Sequence, residues 1–312
     1  MKRLFGHQAN QDRFRDGLTA GNLHHAWLLY GLKGVGKHTL AERLAGFAIC
    51  ERQSACGECH GCSMLAAGSH PDVFRLGLLE GKRDLTVEQI RQVLGFLSLS
   101  AAQGGRRVVI LDDAERMNGQ AANALLKGLE EPSAGSLLLI VCSDLERLPA
   151  TVRSRCLLQQ CVPLNDADVR SALMQQEPSI DDAYLNLAVD LAAGSPGAVA
   201  CLQDEKTAEA LLVWQTLLAD MSRADVGKID NWIRMHVKTV PHALIVQMLV
   251  HAVYPSVQAR CVGDEAFVKR QAVQQALHQC LRWPADVLRH SLRAGPALLA
   301  CILQLRSAIK SG

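Results

Sequence analysis

Five apolar residues, Ala26-Trp27-Leu28-Leu29-Tyr30, run straight into Gly31-Leu32-Lys33-Gly34-Val35-Gly36-Lys37. From Lys37 to Cys50 the spacing turns helical, with Leu40, Leu44, Phe47 and Ala48 on one side. Strand, glycine loop and helix in that order form the setting of a phosphate loop. In such a loop the glycines let backbone N–H groups wrap phosphates, the lysine supplies charge, and a following hydroxyl holds Mg²⁺. Here that following residue is His38. Imidazole is a poor Mg²⁺ ligand, because the ion prefers hard oxygens in a tight octahedron. Thr39 is turned about 100° further round the helix and does not substitute easily. Gly31, Gly34, Gly36, Lys37 and His38 thus form a simple nucleotide binder, a vestigial loop or a glycine turn that merely packs, and ATP/Mg²⁺ hydrolysis is disfavoured.

Further along, Arg107-Val108-Val109-Ile110-Leu111 reads as a strand buried on both faces of a parallel sheet. Asp112 and Asp113 follow at its carboxyl end, where α/β sheets place ligands. Asp112 is placed to hold Mg²⁺ through water, whereas Asp113 is too short to orient an attacking water well. The alternative is an acidic helix start favoured by the helix dipole. Thr86-Val87-Glu88-Gln89 reads as a capping box opening a helix to about Leu97. Another helix runs from about Gln120 to Glu131, before Pro132, and strands are expected at Ser136–Ser143 and Cys156–Cys161. Alternating strands and helices predict a doubly wound α/β domain over residues 1–162.

Beyond Val162 the pattern is helical throughout. Asn165 or Asp166 caps one helix, Asp181–Ala193 forms a second, and Gly194-Ser195-Pro196-Gly197 begins a third. These make a small helical domain, 163–204. Residues 205–312 read as four or five amphipathic helices with breaks near Asp225, Pro241, Gly263 and Pro284. A composition of 49% hydrophobic and only 4% aromatic residues suits such a helix-rich chain. The net charge of +2 gives no electrostatic case for direct nucleic-acid binding. It also disfavours a zinc-dependent DNA binder built on Arg52, Lys82 and Arg83.

The segment after Met1-Lys2-Arg3 is polar where an export signal would be apolar, which points to a cytoplasmic, reducing compartment. No apolar stretch is long and uninterrupted enough for a membrane span. The eleven cysteines are therefore read as thiols or metal ligands. Cys50, Cys56, Cys59 and Cys62 give C-x5-C-x2-C-x2-C, a spacing that closes a tetrahedron around structural Zn²⁺ in the insertion 50–62. His60 and His70 are candidate substitute ligands, although a lone histidine of this kind is more often a surface residue. Cys142, Cys156, Cys161, Cys201, Cys261, Cys280 and Cys301 are scattered on apolar segments and read as small hydrophobes. Ser154-Arg155-Cys156 stands before the last strand; taken alone, Arg155 is an ordinary surface arginine.

Several of these blocks together resemble the bacterial clamp-loader AAA+ subunits of DNA polymerase III. They are Leu23-His24-His25-Ala26-Trp27-Leu28-Leu29-Tyr30-Gly31, the glycine loop, the four-cysteine insertion, Asn123-Ala124-Leu125-Leu126-Lys127-Gly128-Leu129-Glu130-Glu131-Pro132 and Ser154-Arg155-Cys156. The likeness is strong over residues 20–165 and fair to about 205. It implies a RecA-like AAA+ α/β domain with a parallel sheet, a small helical lid and an all-α C-terminal collar domain. Hydrolysing members carry Thr after the loop lysine, Glu after the strand-end Asp, and Arg at the start of the third lid helix. This chain has His38, Asp113 and Gly197-Ala198 there. The resemblance therefore implies a non-hydrolysing member, with an active ATPase of the tau/gamma type as the alternative. Implied partners are tau/gamma ATPase subunits and a delta subunit in a hetero-pentamer, and, through it, the sliding clamp and primer-template DNA. Arg155 is then implied to serve in trans as an arginine finger, and Asn118–Glu131 to face the inside of the spiral.

Overall fold

Continuous apolar runs, whose successive side chains point to opposite faces, build a sheet buried on both faces. The computed structural model describes residues 3–79, 81–102, 105–178, 180–221, 223–259 and 264–310. In chain order the first part comprises α1 (Gln8–Thr19), β1 (Ala26–Tyr30), α2 (Lys37–Ile49), α3 (His60–Ala66), β2 (Val73–Leu76), α4 (Val87–Leu97), β3 (Arg107–Leu111), α5 (Gly119–Glu130), β4 (Ser136–Cys142), α6 (Ala150–Arg153), β5 (Leu157–Gln160) and α7 (Asp166–Gln176). The five strands are parallel, in the order β2-β3-β4-β1-β5. Trp27, Leu29, Val108, Ile110, Leu137 and Leu139 pack on one face with Phe14, Leu40, Leu44 and Phe47. Ala26, Leu28, Val109, Leu111, Leu138 and Ile140 pack on the other with Ile90, Val93, Leu125 and Leu129. Fully burying one such side chain contributes about 1.5–3 kcal/mol, so two filled faces fix the register of the central strands.

The helix ends follow their local chemistry. Thr86 and Gln89 form the expected reciprocal capping box on α4, and the Asn118 side chain accepts from the Ala121 N–H at 2.8 Å to start α5. Four of these elements were not expected from the sequence: α1, α3, β2 and α6. In α1 only Gln11, Phe14 and Leu18 are buried. The strand β2 has four residues and lies at the sheet edge, paired only with β3; tertiary pairing, not pattern, makes it a strand.

The chain divides into two compact units, Met1–Gln175 with Ala193–Ala198, and Gln176–Ala192 with Val199–Gly312. The second unit is helical: α8 (Asp182–Ala192), α9 (Glu205–Leu218), α10 (Val226–His236), α11 (His242–Ala259), α12 (Asp264–His290) and α13 (Ala294–Lys310). Asp204 and Asp225 cap α9 and α10. Trp214 and Trp232 stack at 4.2 Å between ring centroids, and the Trp232 indole N–H donates to Ala210 O at 2.8 Å. The break expected at Pro284 does not occur: α12 runs through it to His290. Proline removes one helical hydrogen bond, but buried Cys280 and Trp283 anchor the preceding turn, and the Trp283 indole N–H reaches Ala294 O at 3.1 Å. Gly263, another of the expected breaks, and Cys261 lie outside the described residues. Among the described residues no helix is long and apolar enough to cross a membrane.

Candidate functional site

The sheet order sets β4 between β1 and β3, so the glycine loop after β1 and Asp112 after β3 share the carboxyl edge of the sheet. Within that edge the groups that would meet a nucleotide are bonded to the protein itself. The Lys37 ammonium donates to Gly31 O at 2.9 Å and Leu32 O at 2.8 Å. Its burial pushes its pKa below the ordinary lysine value, although the charges of Glu115 and Asp112 oppose that shift. His38 Nδ1 lies 2.8 Å from Asp112 Oδ2, and its Nε2 lies 3.7 Å from Glu42 Oε1. Glu42 in turn takes a bidentate pair from Arg75 of β2, at 2.6 and 2.9 Å. The hydrogen bond to Asp112 raises the His38 pKa against the pull of burial. Burial works to raise Asp112, yet the bonds from His38 and the Asp113 N–H, with the His38 and Lys37 charges, hold it below the ordinary carboxylate value. An imidazole thus sits where a metal-binding hydroxyl would face this aspartate.

A second closure is made of backbone. The Gly197 N–H donates to Gly34 O at 3.0 Å. A Cβ on Gly34, which has φ +87°, would lie 2.7 Å from the Ala198 nitrogen, and one on Gly197 would lie 2.7 Å from the Gly34 Cα. The two segments touch at distances that leave no room for a Cβ on either glycine. On the opposite side His7, buried, places Nε2 2.9 Å from Val35 O.

Asp113 adopts a left-handed conformation, φ 51°, ahead of the short 3-10 turn Ala114–Arg116. Burial and the neighbouring charges of Asp112 and Glu115 raise its pKa. Glu115, which the sequence reading passed over, points its carboxylate at the Ser143 N–H, 3.2 Å away at the end of β4. Its position three residues after Asp112 was the available signal.

The four cysteines of the insertion converge. All four sulfurs lie within 4.8 Å of one another, with Cys50–Cys56 at 3.7 Å, Cys50–Cys59 at 3.9 Å and Cys56–Cys62 at 4.0 Å. Four sulfurs each about 2.3 Å from a tetrahedral zinc would stand about 3.8 Å apart, so the set fits the ion. Backbone N–H groups of Cys59 and Cys62 donate to Cys56 Sγ and Cys59 Sγ, both at 3.4 Å. Burial opposes ionisation of Cys50, but N–H groups of Cys56, Ser54 and Arg52 outweigh it and pull its pKa down to about 6. His60 and His70 are not in the cluster; His70 Nδ1 instead accepts from the Asp72 N–H at 3.1 Å. Cys142, Cys156 and Cys161 are buried, and burial pushes their thiols up to about 12, 12 and 11.

Comparison with known proteins places these features. The model of the family described as DNA polymerase III, delta subunit, matches residues 6–165, just over half of the chain. The chain belongs to this family. It is 44% identical over 175 residues to DNA polymerase III subunit delta' of Pseudomonas aeruginosa, covering 55% of this chain and 53% of that protein. To subunit delta' of Escherichia coli it is 39% identical over 186 residues, covering 59% and 55%. The chain thus spans about half the length of the curated relatives it matches. A solved structure of a DNA polymerase III gamma subunit-related protein from Thermotoga maritima superposes with a TM-score of 0.50 at 17% identity, over 96% of this chain and 99% of that one. The fold is a RecA-like AAA+ α/β domain with a helical C-terminal region.

Within this delta-subunit fold, Arg155 stands apart from the closed loop. It follows α6, its side chain is 37% exposed, and its Nη2 lies 2.7 Å from Glu130 Oε1 at the end of α5. Nη1 donates to Thr151 O at 2.9 Å.

Proposed function

We propose that this chain is a non-hydrolysing subunit of a DNA polymerase III clamp loader, which helps to place the sliding clamp on primed DNA. Its delta' relatives support that role. The observation that supports the non-hydrolysing part is the self-closure of the phosphate loop: His38 pairs with Asp112, the carboxylate that would hold Mg²⁺, and Gly197 bonds Gly34 within the loop. Arg155 would act in trans, its planar guanidinium completing the ATP site of a neighbouring tau/gamma-type subunit. Residues 163–204 would serve as the lid, and 205–312 would join a pentameric collar with ATPase subunits and delta. Clamp and primer-template DNA would be met through that cytoplasmic complex. Cys50, Cys56, Cys59 and Cys62 would hold one structural zinc, ordering an insertion with little apolar content of its own.

The deciding experiment is DNA-stimulated ATP turnover by the complex assembled with Arg155→Ala. Turnover falls while assembly persists; normal turnover rejects the role. The retained Lys37 favours a second reading, an active ATPase of the tau/gamma type. Hydrolysis by the purified chain that disappears in Lys37→Ala would establish it instead.

A further inference from the structure

The guanidinium of Arg155 is held by an acidic side chain from a different helix. Glu130 is the last residue of α5, and its carboxylate takes Nη2 at 2.7 Å, while Nη1 bonds Thr151 O at 2.9 Å and reaches Ser154 Oγ at 3.4 Å. One edge of the guanidinium is thus fixed by α6 and its following turn, the other by α5. The Glu130 end is itself rigid: Asn118 caps α5, and Ala121, Ala122, Leu125 and Leu129 are buried along it. Both members of the pair are substantially exposed, 37% and 49% by side chain. An adjoining subunit could therefore reach the guanidinium without unfolding anything. Arginine otherwise has many rotamers, and only one that projects correctly serves a phosphate.

We propose that Glu130 is a positioning residue that presets Arg155 for the neighbouring subunit's triphosphate; this rests on the finger role proposed above. An exposed carboxylate binds a guanidinium weakly. A phosphate can therefore displace Glu130 from Nη2, while the Thr151 carbonyl retains Nη1 and keeps the group aimed. The acid contributes by narrowing the search of the side chain before contact, not by touching the phosphate.

The test uses the clamp-loader complex assembled with full-length wild-type chain, Glu130→Gln, Arg155→Ala, or both changes together. Assembly, and the kcat and KM of DNA-stimulated ATP turnover, are measured for each. Glu130→Gln lowers kcat about two- to fivefold, the range an exposed ion pair commands, with KM for ATP and assembly unchanged. The double variant turns over no more slowly than Arg155→Ala. Wild-type or faster turnover by Glu130→Gln, or an added loss in the double variant, overturns the positioning role while leaving the finger standing. Normal turnover by Arg155→Ala removes the finger itself, and this proposal with it.

Discussion

The phosphate loop and the Arg155 corner carry their cations in opposite ways. Lys37 is only 5% exposed and spends its donors on carbonyls of its own loop. Arg155 is at the surface, tethered at its rim by Glu130 and Thr151. A buried cation satisfied internally has nothing to gain from a new partner, because exchanging one set of hydrogen bonds for another is nearly neutral. An exposed, weakly paired arginine can change partners at little cost. Of these two cations, one is thus bonded within its own loop and the other sits at the surface in a weak pair that it can exchange.

The strongest way to break this contrast is to remove each cation in the assembled complex. Arginine fingers supply about 10³–10⁵ in turnover where measured, so Arg155→Ala should give a loss of several orders of magnitude. Lys37→Ala should leave turnover within about twofold, since an unused loop contributes no transition-state charge. A comparable loss from Lys37→Ala would show that the loop works after all.

Metal analysis sharpens the structural side. Freshly reduced protein should carry about one zinc per chain, a closed four-thiolate site, and Cys59→Ser with Cys62→Ser should release it and lower the thermal midpoint. Protein prepared without zinc yet equally stable would sink that expectation. Next in size is Gly197→Ala. Its new methyl would meet the Gly34 backbone, and overpacking of this kind costs about 1–3 kcal/mol. Faster amide hydrogen exchange at residue 197 reports the opening; unchanged protection would mean the two turns are not truly locked.

The smallest effect belongs to the His38–Asp112 pair, at most about 1 kcal/mol given its exposure. The folded pKa of His38 is raised above 6.5, so its contribution is complete below about 6.5 and lost as pH rises through the folded value. Asp112 is lowered below 3.8, so its contribution is present above about 3.8 and lost as pH falls through the folded value. The pair therefore stabilises most between these limits. His38→Ala should flatten that part of the pH–stability curve, and an unaltered curve would contradict the bond.

Much of the first unit was legible because its central strands are continuous apolar runs bounded by glycine, aspartate or proline. β1 and β3 fall where the pattern put them, as does the capping box on α4. The four-cysteine spacing likewise foretold the convergence of the sulfurs. Short elements were not legible: β2 and α3 hold few buried residues, so only their neighbours decide their conformation. Pro284 misled because a local helix breaker was overruled by packing of Trp283 and Cys280.

Sequence alone determined the chemical types: a lysine after glycines, a histidine in place of a hydroxyl, four thiols and an arginine before the last strand. Those are covalent facts, and local spacing suffices to read them. Which group each one touches was decided only by the tertiary structure. Gly197 meets Gly34, His38 meets Asp112, and Glu130 meets Arg155 across sequence separations that no periodicity encodes. Such partners are chosen by the packing of sheet and helices, which sets whether a cation is sealed inside its loop or left at the surface.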